Sequence, residues 1–473
     1  MTVLELAVYA LLLAVAAVVV WRRPLAALYL FVVGLALHNA AMASLYAAGV
    51  RGSTLTAITA WKEILLAVAL ARVIQEAVRA RRLPFRPAVV DWLALAFGLL
   101  ACVYALIPQS ALGGLADHHA VALGLRHDVV PVGAFFLGRF LVVTHDHLRR
   151  LAWTLLGTAG LVAGLGIVDV YAVSISWWRT NGVVDYFHKH LGYDYHGTGG
   201  LPENFIYNVG GDKPFLRRLV STFLSPLASG YLMVVALLLA PRRRLAIPLG
   251  ALAFAGLLFT FSRSSLVALA GGLVVLAVLR RRPHELAVAL VVIGVTVGWA
   301  HLFPKIGPTG TFTKADLIHQ HEQAAGKSAT FSATSSSEPS LHEHWTSLKD
   351  GVRTMVHHPQ GYGLGNVGQT ASRTDTPLKA GESNYTELGV EIGVFGALLW
   401  TLWGLAILVG LARARATTLA AAFAAILALA IQTDVIGDPW IAYSVWGLAG
   451  ALLVKTRPQE RLAGAAEPAV PSA

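Results

Sequence analysis

The longest polar segment of the chain ends with residues 361–396, GYGLGNVGQTASRTDTPLKAGESNYTELGVEIGVFG, which lead directly into an apolar run. Glu382, Glu387 and Glu391 follow one another at spacings of five and four residues. A helix that enters a membrane near Asn384 would therefore hold Glu387 and Glu391 on one face. Because carboxylates at membrane depth are costly, we expect them to face the protein interior or a wet cavity. The stretch places charged side chains at a water-membrane boundary, as chemistry on a lipid-linked substrate requires.

The composition is that of an all-α polytopic membrane protein. Of 473 residues, 56% are hydrophobic and 13% are charged, whereas the charged fraction of a soluble domain is about a quarter. The N-terminal apolar run has no basic residues before it and arginines after it, which favours a retained span over a cleaved signal. The single cysteine, Cys102, excludes an intrachain disulfide and a cysteine metal cluster.

The net charge of +11 reflects membrane topology and does not indicate a nucleic-acid partner. The basic residues form short clusters between apolar runs, which is the positive-inside pattern. Runs long enough to cross a bilayer, about 20 residues each, fall near 3–21, 24–49, 54–76, 88–107, 130–147, 151–174, 221–240, 244–261, 264–280, 285–303, 384–410, 417–434 and 439–454. With every arginine cluster on the cytoplasmic side, these thirteen candidates predict an outside N-terminus and a cytoplasmic C-terminus. Twelve spans remain if a terminal candidate is dropped, and the large loop stays outside.

This topology divides the chain into four parts. We expect a transmembrane bundle over 1–303 with outer loops at 108–129 and 175–220, and a large extracytoplasmic loop over 304–383. C-terminal transmembrane helices follow over 384–454, with a disordered cytoplasmic tail at 455–473. In the large loop, LHEHWTSLKDGVRTMVHH is typical of an amphipathic helix that lies on the membrane or over a cavity.

Several arginines lie beside spans on the predicted outer side, against the positive-inside bias: Arg126, Arg217, Arg218 and Arg263. A phosphate or pyrophosphate headgroup explains such residues, because a guanidinium binds it bidentately. Snorkelling to lipid phosphate is the alternative. The functional interpretation is strongest for Arg263, which apolar sequence surrounds. Arg139, within a span, is either structural or paired with an acid.

Other polar groups have simpler explanations. Lys62 and Glu63 are expected to form a local ion pair. The outer histidine pairs lack the spacing of a helical zinc site, so we predict no metal and no other cofactor. The run GYGLGNVG lacks the βαβ setting of a dinucleotide site and is expected to form tight turns.

The second half of the chain resembles the O-antigen ligase and O-antigen polymerase superfamily of bacterial membrane glycosyltransferases. The similar features, in the same order, are RRLVSTFLSPLASGYL, FTFSRSSLVALAGG, one large late loop and the exit GYGLGN…ESNYTELGVEIGVFG. Ligases of this family carry a His-Asn pair where the large loop meets the next helix, and aligned on Glu391, Gly393 and Gly396 this chain has Glu382 and Ser383 there. The departure favours a polysaccharide polymerase over a lipid A-core ligase.

The resemblance implies a C-type glycosyltransferase architecture in the bacterial cytoplasmic (inner) membrane, with the active site facing outward. The donor would be a glycan on polyprenyl (undecaprenyl) pyrophosphate and the acceptor a glycan or lipid hydroxyl, with membrane lipid and other polysaccharide assembly proteins as partners. Glu382 would be the catalytic base and Arg263 would stabilise the leaving pyrophosphate. The predicted substrate-binding residues are Arg217, Arg218, Arg126, Asn384 and Tyr385.

Two other classes of protein remain open at this point. A polytopic transporter or flippase also has about a dozen spans with intramembrane charges, although no repeat of the halves is evident here. A non-catalytic scaffold of a surface polysaccharide export system would use the arginines only to hold lipid.

Overall fold

The computed structural model describes residues 3–193, 201–202, 204–207, 214–311, 313–314, 318, 339–379 and 383–453. Its α-helices are α1 Val3–Arg22, α2 Ala26–Ala47, α3 Gly52–Thr59, α4 Trp61–Arg79, α5 Val89–Leu106, α6 His118–Phe140, α7 His145–Ala172, α8 Ile175–Thr180, α9 Val183–Asp185, α10 Pro226–Leu238, α11 Ala246–Phe259, α12 Arg263–Arg280, α13 Pro283–Ile306, α14 Pro339–His357, α15 Gly368–Arg373, α16 Asn384–Glu391, α17 Gly393–Arg413, α18 Thr417–Leu429 and α19 Trp446–Leu452. Short 3₁₀ turns lie at Gln109–Leu112 and Ser221–Phe223, and π-helical turns at Tyr186–His190 and Ile441–Val445.

Long apolar helices dominate the fold, which confirms the all-α polytopic class. Seven of the described helices are long and apolar enough to cross a membrane: α2, α5, α6, α7, α12, α13 and α17. Shorter apolar helices occupy Ala7–Arg22, Pro226–Leu238, Ala246–Phe259, Thr417–Leu429 and Ile441–Leu452, where the sequence predicts further spans.

The predicted outer loop at 108–129 and the predicted span at 130–147 are wrong in their boundaries. Residues 118–129 are the first half of α6, and the loop before it is short. The Asp117 side chain accepts from the Ala120 N–H and starts this helix, and Thr144 starts α7 in the same way. Of the polar residues that suggest a loop, Asp128 is instead buried inside the bundle and the His127 side chain is only 16% exposed.

Two predicted spans are interrupted. The run at 54–76 breaks at Ala60 into α3 and α4, and the run at 384–410 breaks at Ile392 into α16 and α17. Gly393 has φ +76° and lies so close to the Pro359 carbonyl that a side chain there would clash with it. The second break separates a short, buried helix from the span that follows it.

The core forms where α6 crosses α19. A Cβ on Gly138 would overlap the Gly447 carbonyl, and one on Gly450 would overlap the Phe135 carbonyl, so glycine lets the two backbones touch. Around this crossing are packed Trp400, Trp403 and Trp446, whose rings lie 5.3–6.3 Å apart. The crossing fixes α6 against the C-terminal part of the chain.

A small antiparallel sheet joins the predicted outer loop at 175–220 to the predicted large loop at 304–383. It contains β1 Ile206–Tyr207, β2 Phe215–Arg217 and β3 Thr309–Gly310 in that order, with Ile206 opposite Arg217 and Phe215 opposite Gly310. The glycine-rich run forms the tight turns predicted for it, because Gly361, Gly363, Gly365 and Gly368 all have positive φ. These turns bring the polar segment back onto α6 and α16.

Candidate active site

A cleft lies where α4, α6, α15 and the segment after α18 meet. It encloses about 500 Å³ of empty space, including its open mouth. Its lining residues are Lys62, Glu63, Leu123, Arg126, His127, Val130, Gln369, Thr370, Arg373, Asp434, Ile436, Gly437, Pro439, Ala442 and Tyr443. Three cations, two carboxylates and one imidazole are thus brought together from four distant parts of the chain.

Lys62, Glu63 and Arg126 form one wall of the cleft. Lys62 Nζ lies 3.6 Å from Glu63 Oε2, so the predicted local ion pair is present. Arg126 Nε lies 3.6 Å from Glu63 Oε1, and the Arg126 side chain remains 42% exposed. Both Glu63 oxygens are shielded from solvent, and each lies 3.6 Å from a cation. One acid therefore faces two cations, and Arg126 is accessible to a ligand.

Arg373 contributes the third cation from the end of α15. Its Nε donates to the Leu191 carbonyl at 3.0 Å, and its guanidinium carbon lies 5.8 Å from the centroid of the Tyr193 ring. The Tyr193 hydroxyl in turn donates to Gln369 Oε1 at 2.9 Å. These contacts fix the guanidinium on the cleft wall through its Nε, and no hydrogen bond from its terminal nitrogens is found to the described residues.

His127 lies beneath these cations, between two carboxylates. Its Nδ1 is 2.8 Å from Asp128 Oδ1 and its Nε2 is 2.9 Å from Asp434 Oδ2. Because each ring nitrogen faces a carboxylate oxygen, each contact needs a proton, so the ring is an imidazolium or one carboxyl is protonated. His127 therefore orients Asp434, and it forms one charged, hydrogen-bonded network with Asp128 and Asp434.

Asn384 completes the support of Asp434. Its Nδ2 donates to Asp434 Oδ1 at 2.5 Å, its Oδ1 accepts from the Val435 N–H at 2.7 Å, and its side chain is fully buried. The Gly437 N–H also donates to Asp434 Oδ1. Burial alone raises the pKa of the Asp434 carboxyl, but the His127 charge and these hydrogen bonds outweigh burial and lower that pKa below its usual value.

Glu391 lies at the end of α16, just before the span of α17. Its Oε1 accepts from the Gly365 N–H at 2.8 Å, which ties the glycine-rich turns to this helix. Burial and the nearby Asp128 carboxylate raise the pKa of Glu391 to about 8. Glu387, one turn earlier, is also buried. Both predicted carboxylates thus face the protein interior.

The residues predicted from the sequence separate into two groups. Arg126 lines the cleft, and Asn384 supports it without lining it. The Tyr385 hydroxyl donates to the Leu427 carbonyl at 3.1 Å and fastens α16 to α18. Glu382 lies outside the described residues.

The other predicted arginines lie away from the cleft. Arg217 is buried and bonded to Asp169 and to the carbonyls of Val170 and Val173. Arg218 donates to the carbonyl of Thr260. These two arginines hold β2 on the ends of α7 and α11.

Two more arginines have contacts of their own. Arg263 begins α12, with its guanidinium carbon 5.9 Å from the centroid of the Tyr207 ring. Arg139 Nε bonds to Asp91 Oδ1 at 2.6 Å, so of the two alternatives left open by the sequence the structure has the pairing with an acid.

His127, Asp434 and Arg373 are not predicted from the sequence. The sequence does contain a signal for His127, the charged triplet Arg126–Asp128 beside an apolar run, and one for Asp434, the two acids of QTDVIGDP between two apolar runs. Arg373 carries no comparable signal, because it lies in a polar loop whose folding over the bundle the sequence does not show.

One segment of the chain matches a known protein family. Residues 248–401 match a protein-family model described as O-Antigen ligase, and this segment contains Arg263, Arg373 and Glu391. No curated protein matches the chain. The matched family is one of membrane proteins that transfer glycans, in agreement with the helical fold. The match over this segment supports membership of the O-antigen ligase superfamily.

Proposed function

We propose that this protein transfers or polymerises a glycan, carried on polyprenyl pyrophosphate, onto an acceptor hydroxyl at the outer face of the bacterial cytoplasmic membrane. The observation that carries the proposal is the cleft, in which Lys62, Arg126 and Arg373 converge beside oriented carboxylates. Membership of a glycan-transferring family supplies the reaction class. Polymerisation is favoured over transfer to lipid A-core, because Glu382 stands where ligases carry histidine.

The three cations suit a pyrophosphate. A pyrophosphate diester carries about two negative charges, and the cleft offers three positive side chains. Of the two carboxylates in the lining, Glu63 faces two of these cations and Asp434 faces His127. Two of the three cations are arginines, whose planar fork binds phosphate oxygens in pairs. Because both arginines are held before the substrate arrives, by Glu63 and by the Leu191 carbonyl, little reorganisation is needed when charge develops on the leaving group.

In the proposed reaction the acceptor oxygen attacks the anomeric carbon and the bond from that carbon to the pyrophosphate oxygen breaks. The electron pair leaves with polyprenyl pyrophosphate, and the hydroxyl proton passes to a carboxylate. We propose Glu382 as this base. It directly precedes Ser383 and Asn384, whose bonds to the Ala430 carbonyl and to Asp434 fix the chain beside the cleft.

Asp434 is poorly suited to the role of base, because its oxygens accept from Asn384 and Gly437 and face His127. Its proposed role is to hold the floor of the cleft. Glu63 is the second candidate, because it lines the cleft and its contacts to Lys62 and Arg126, both 3.6 Å, are longer than normal hydrogen bonds. The comparison of Glu382→Gln with Glu63→Gln separates the two carboxylates.

We also propose that the arginines away from the cleft contribute to substrate binding, namely Arg263, Arg217 and Arg218. They lie at one junction, between β2, α11 and α12, and the Arg218 Nε is bonded to the Thr260 carbonyl at the end of α11. Of these three, Arg263 is the least buried and starts a helix, where the backbone N–H groups also favour an anion.

Deletion of the protein in its host tests the proposed function. We expect long-chain surface polysaccharide to disappear while single lipid-linked repeat units accumulate on the outer face. Accumulation of the units on the cytoplasmic face would favour the flippase alternative. An unchanged chain-length distribution would contradict polymerisation.

A further inference from the structure

We propose that α14 lies in the headgroup layer of the bilayer and anchors the large loop to the membrane surface. The sequence leaves open whether this amphipathic segment covers the membrane or a cavity. The structure shows which face of the helix packs on the protein and which remains exposed.

One face of α14 packs on the short helix α16. Gly351 is buried, and a Cβ there would come within 2.6 Å of Thr386 Cβ. One turn further on, Met355 lies against Gly389 so closely that a side chain on this glycine would clash with its sulfur. Met355 also packs on the cluster of Val367 and Val390. This face is occupied by protein.

A second face carries large apolar side chains with no protein over them in the part of the chain that the structure describes. Trp345 is 55% exposed, Val352 43% and Val356 65%. At 100° per residue these three positions fall within about 40° of one another on the helix, so they form a single stripe. Lys349 lies along the same stripe, with its Nζ 5.1 Å from the centroid of the Trp345 ring.

The chemistry of the stripe fits a lipid surface. Tryptophan and lysine together are typical of the interface, where the ring lies at headgroup level and the ammonium reaches lipid phosphate. The exposed neighbours on the other side, Arg353, Thr346 and Asp350, are polar and lie about 80°, 100° and 140° from Trp345 around the helix.

The position of the helix also indicates the bilayer. The chain just after α14 is bonded to the beginning of a span, because the Val394 N–H donates to the Pro359 carbonyl at 2.9 Å. The Tyr104 hydroxyl near the end of α5 donates to the Gln360 carbonyl at 2.6 Å. Beside these points the exposed apolar residues Phe395 and Leu106 mark the lipid-facing surface of α17 and α5. The end of α14 that carries Val356 is thus fixed beside the ends of two apolar helices long enough to cross a membrane.

The consequence concerns the cleft. The α14 helix packs on α16, and Asn384 of α16 donates a hydrogen bond to Asp434. An anchored α14 therefore keeps the supports of the cleft at a fixed depth relative to the headgroups, where a lipid-linked pyrophosphate also lies.

Depth measurements on the full chain test this inference. Cys102 is exposed and is the only cysteine, so it is first replaced by alanine. Single cysteines are then introduced by Trp345→Cys and Val352→Cys on the stripe, and by Thr346→Cys and Asp350→Cys on the polar face as matched controls. Each variant is labelled with a fluorophore in lipid nanodiscs. All four positions are exposed, so labelling leaves the packing of α14 on α16 intact.

We expect a loss of emission with nitroxide-labelled lipid at positions 345 and 352, and quenching by aqueous iodide at positions 346 and 350. Equal quenching by iodide at all four positions would overturn the inference, because the stripe would then face water. Protection of positions 345 and 352 from both quenchers would also overturn it, since a second copy or another protein segment would then cover the stripe.

Discussion

Removal of the Arg373 guanidinium should reduce glycan transfer more than the loss of any surface charge. Arg373 is held by its Nε on the Leu191 carbonyl and by the Tyr193 ring, so its terminal nitrogens are positioned before the substrate binds. A unit charge about 4 Å from a phosphate oxygen is worth about 4 kcal/mol at the effective dielectric of a protein surface region. Loss of one preorganised donor of this kind costs about 10²–10³-fold in turnover. The electrostatic energy and the loss of turnover agree in size, so the turnover of Arg373→Ala should be lower by about 10²–10³-fold.

The assay is initial-rate transfer from a lipid-pyrophosphate donor, with the variant and wild type reconstituted at equal amounts. Arg373→Lys keeps the charge but loses the fork and the bond to Leu191, so only part of the rate should return. Arg413→Ala removes an exposed arginine from the far end of α17 and serves as the matched control. Near-normal turnover in Arg373→Ala, with wild-type thermal stability, would refute the assignment of the cleft as the pyrophosphate site.

Three further predictions concern other groups. Glu382→Gln should lower turnover by about 10²–10⁴-fold while donor binding survives; a larger loss in Glu63→Gln than in Glu382→Gln would move the role of base to Glu63. Arg263→Lys should lose most activity while the protein still inserts and folds, and full turnover in this variant would show that a point charge suffices. The pKa of Glu391 is raised to about 8 in the folded protein, against 4.5 in the unfolded chain, so the folded state binds the Glu391 proton more tightly. Proton binding therefore stabilises the folded state fully below pH 4.5, and this contribution is lost as the pH rises to about 8. Melting temperature measured against pH should therefore fall across this window in the wild type relative to Glu391→Gln; parallel curves would show that Glu391 does not titrate there.

The sequence predicts the fold class because apolar runs of membrane length are a local signal. The composition and the arginine clusters are enough to identify a polytopic helical protein, and the exit segment around Glu391 is enough to suggest its family. The prediction is weaker for polar residues that are buried only because a distant part of the chain pairs with them. Residues 118–129 have the composition of a polar loop. His127 and Asp128 can lie inside the bundle on α6 because Asp434, more than 300 positions later, is hydrogen-bonded to His127.

The candidate site could be predicted only in part for the same reason. The place of Arg126 beside a span predicts a role in substrate binding, and this residue lines the cleft. Arg217 has the same sequence signature, but it bonds to Asp169, 48 residues earlier, which no local pattern reveals. Arg373 reaches the cleft because the glycine-rich turns at Gly361 and Gly365 return the polar segment to α6. The sequence predicts those turns but not their destination.

The most direct test of the account is transfer by the purified protein alone. Wild-type protein in liposomes is supplied with a glycan on polyprenyl pyrophosphate and an acceptor glycan, in excess EDTA and without nucleotide, and the products are analysed by mass spectrometry. The account predicts a longer glycan together with free polyprenyl pyrophosphate in equal amount. A donor that crosses the bilayer with no new glycosidic bond, or transfer that stops in EDTA and returns with a divalent cation, would contradict it.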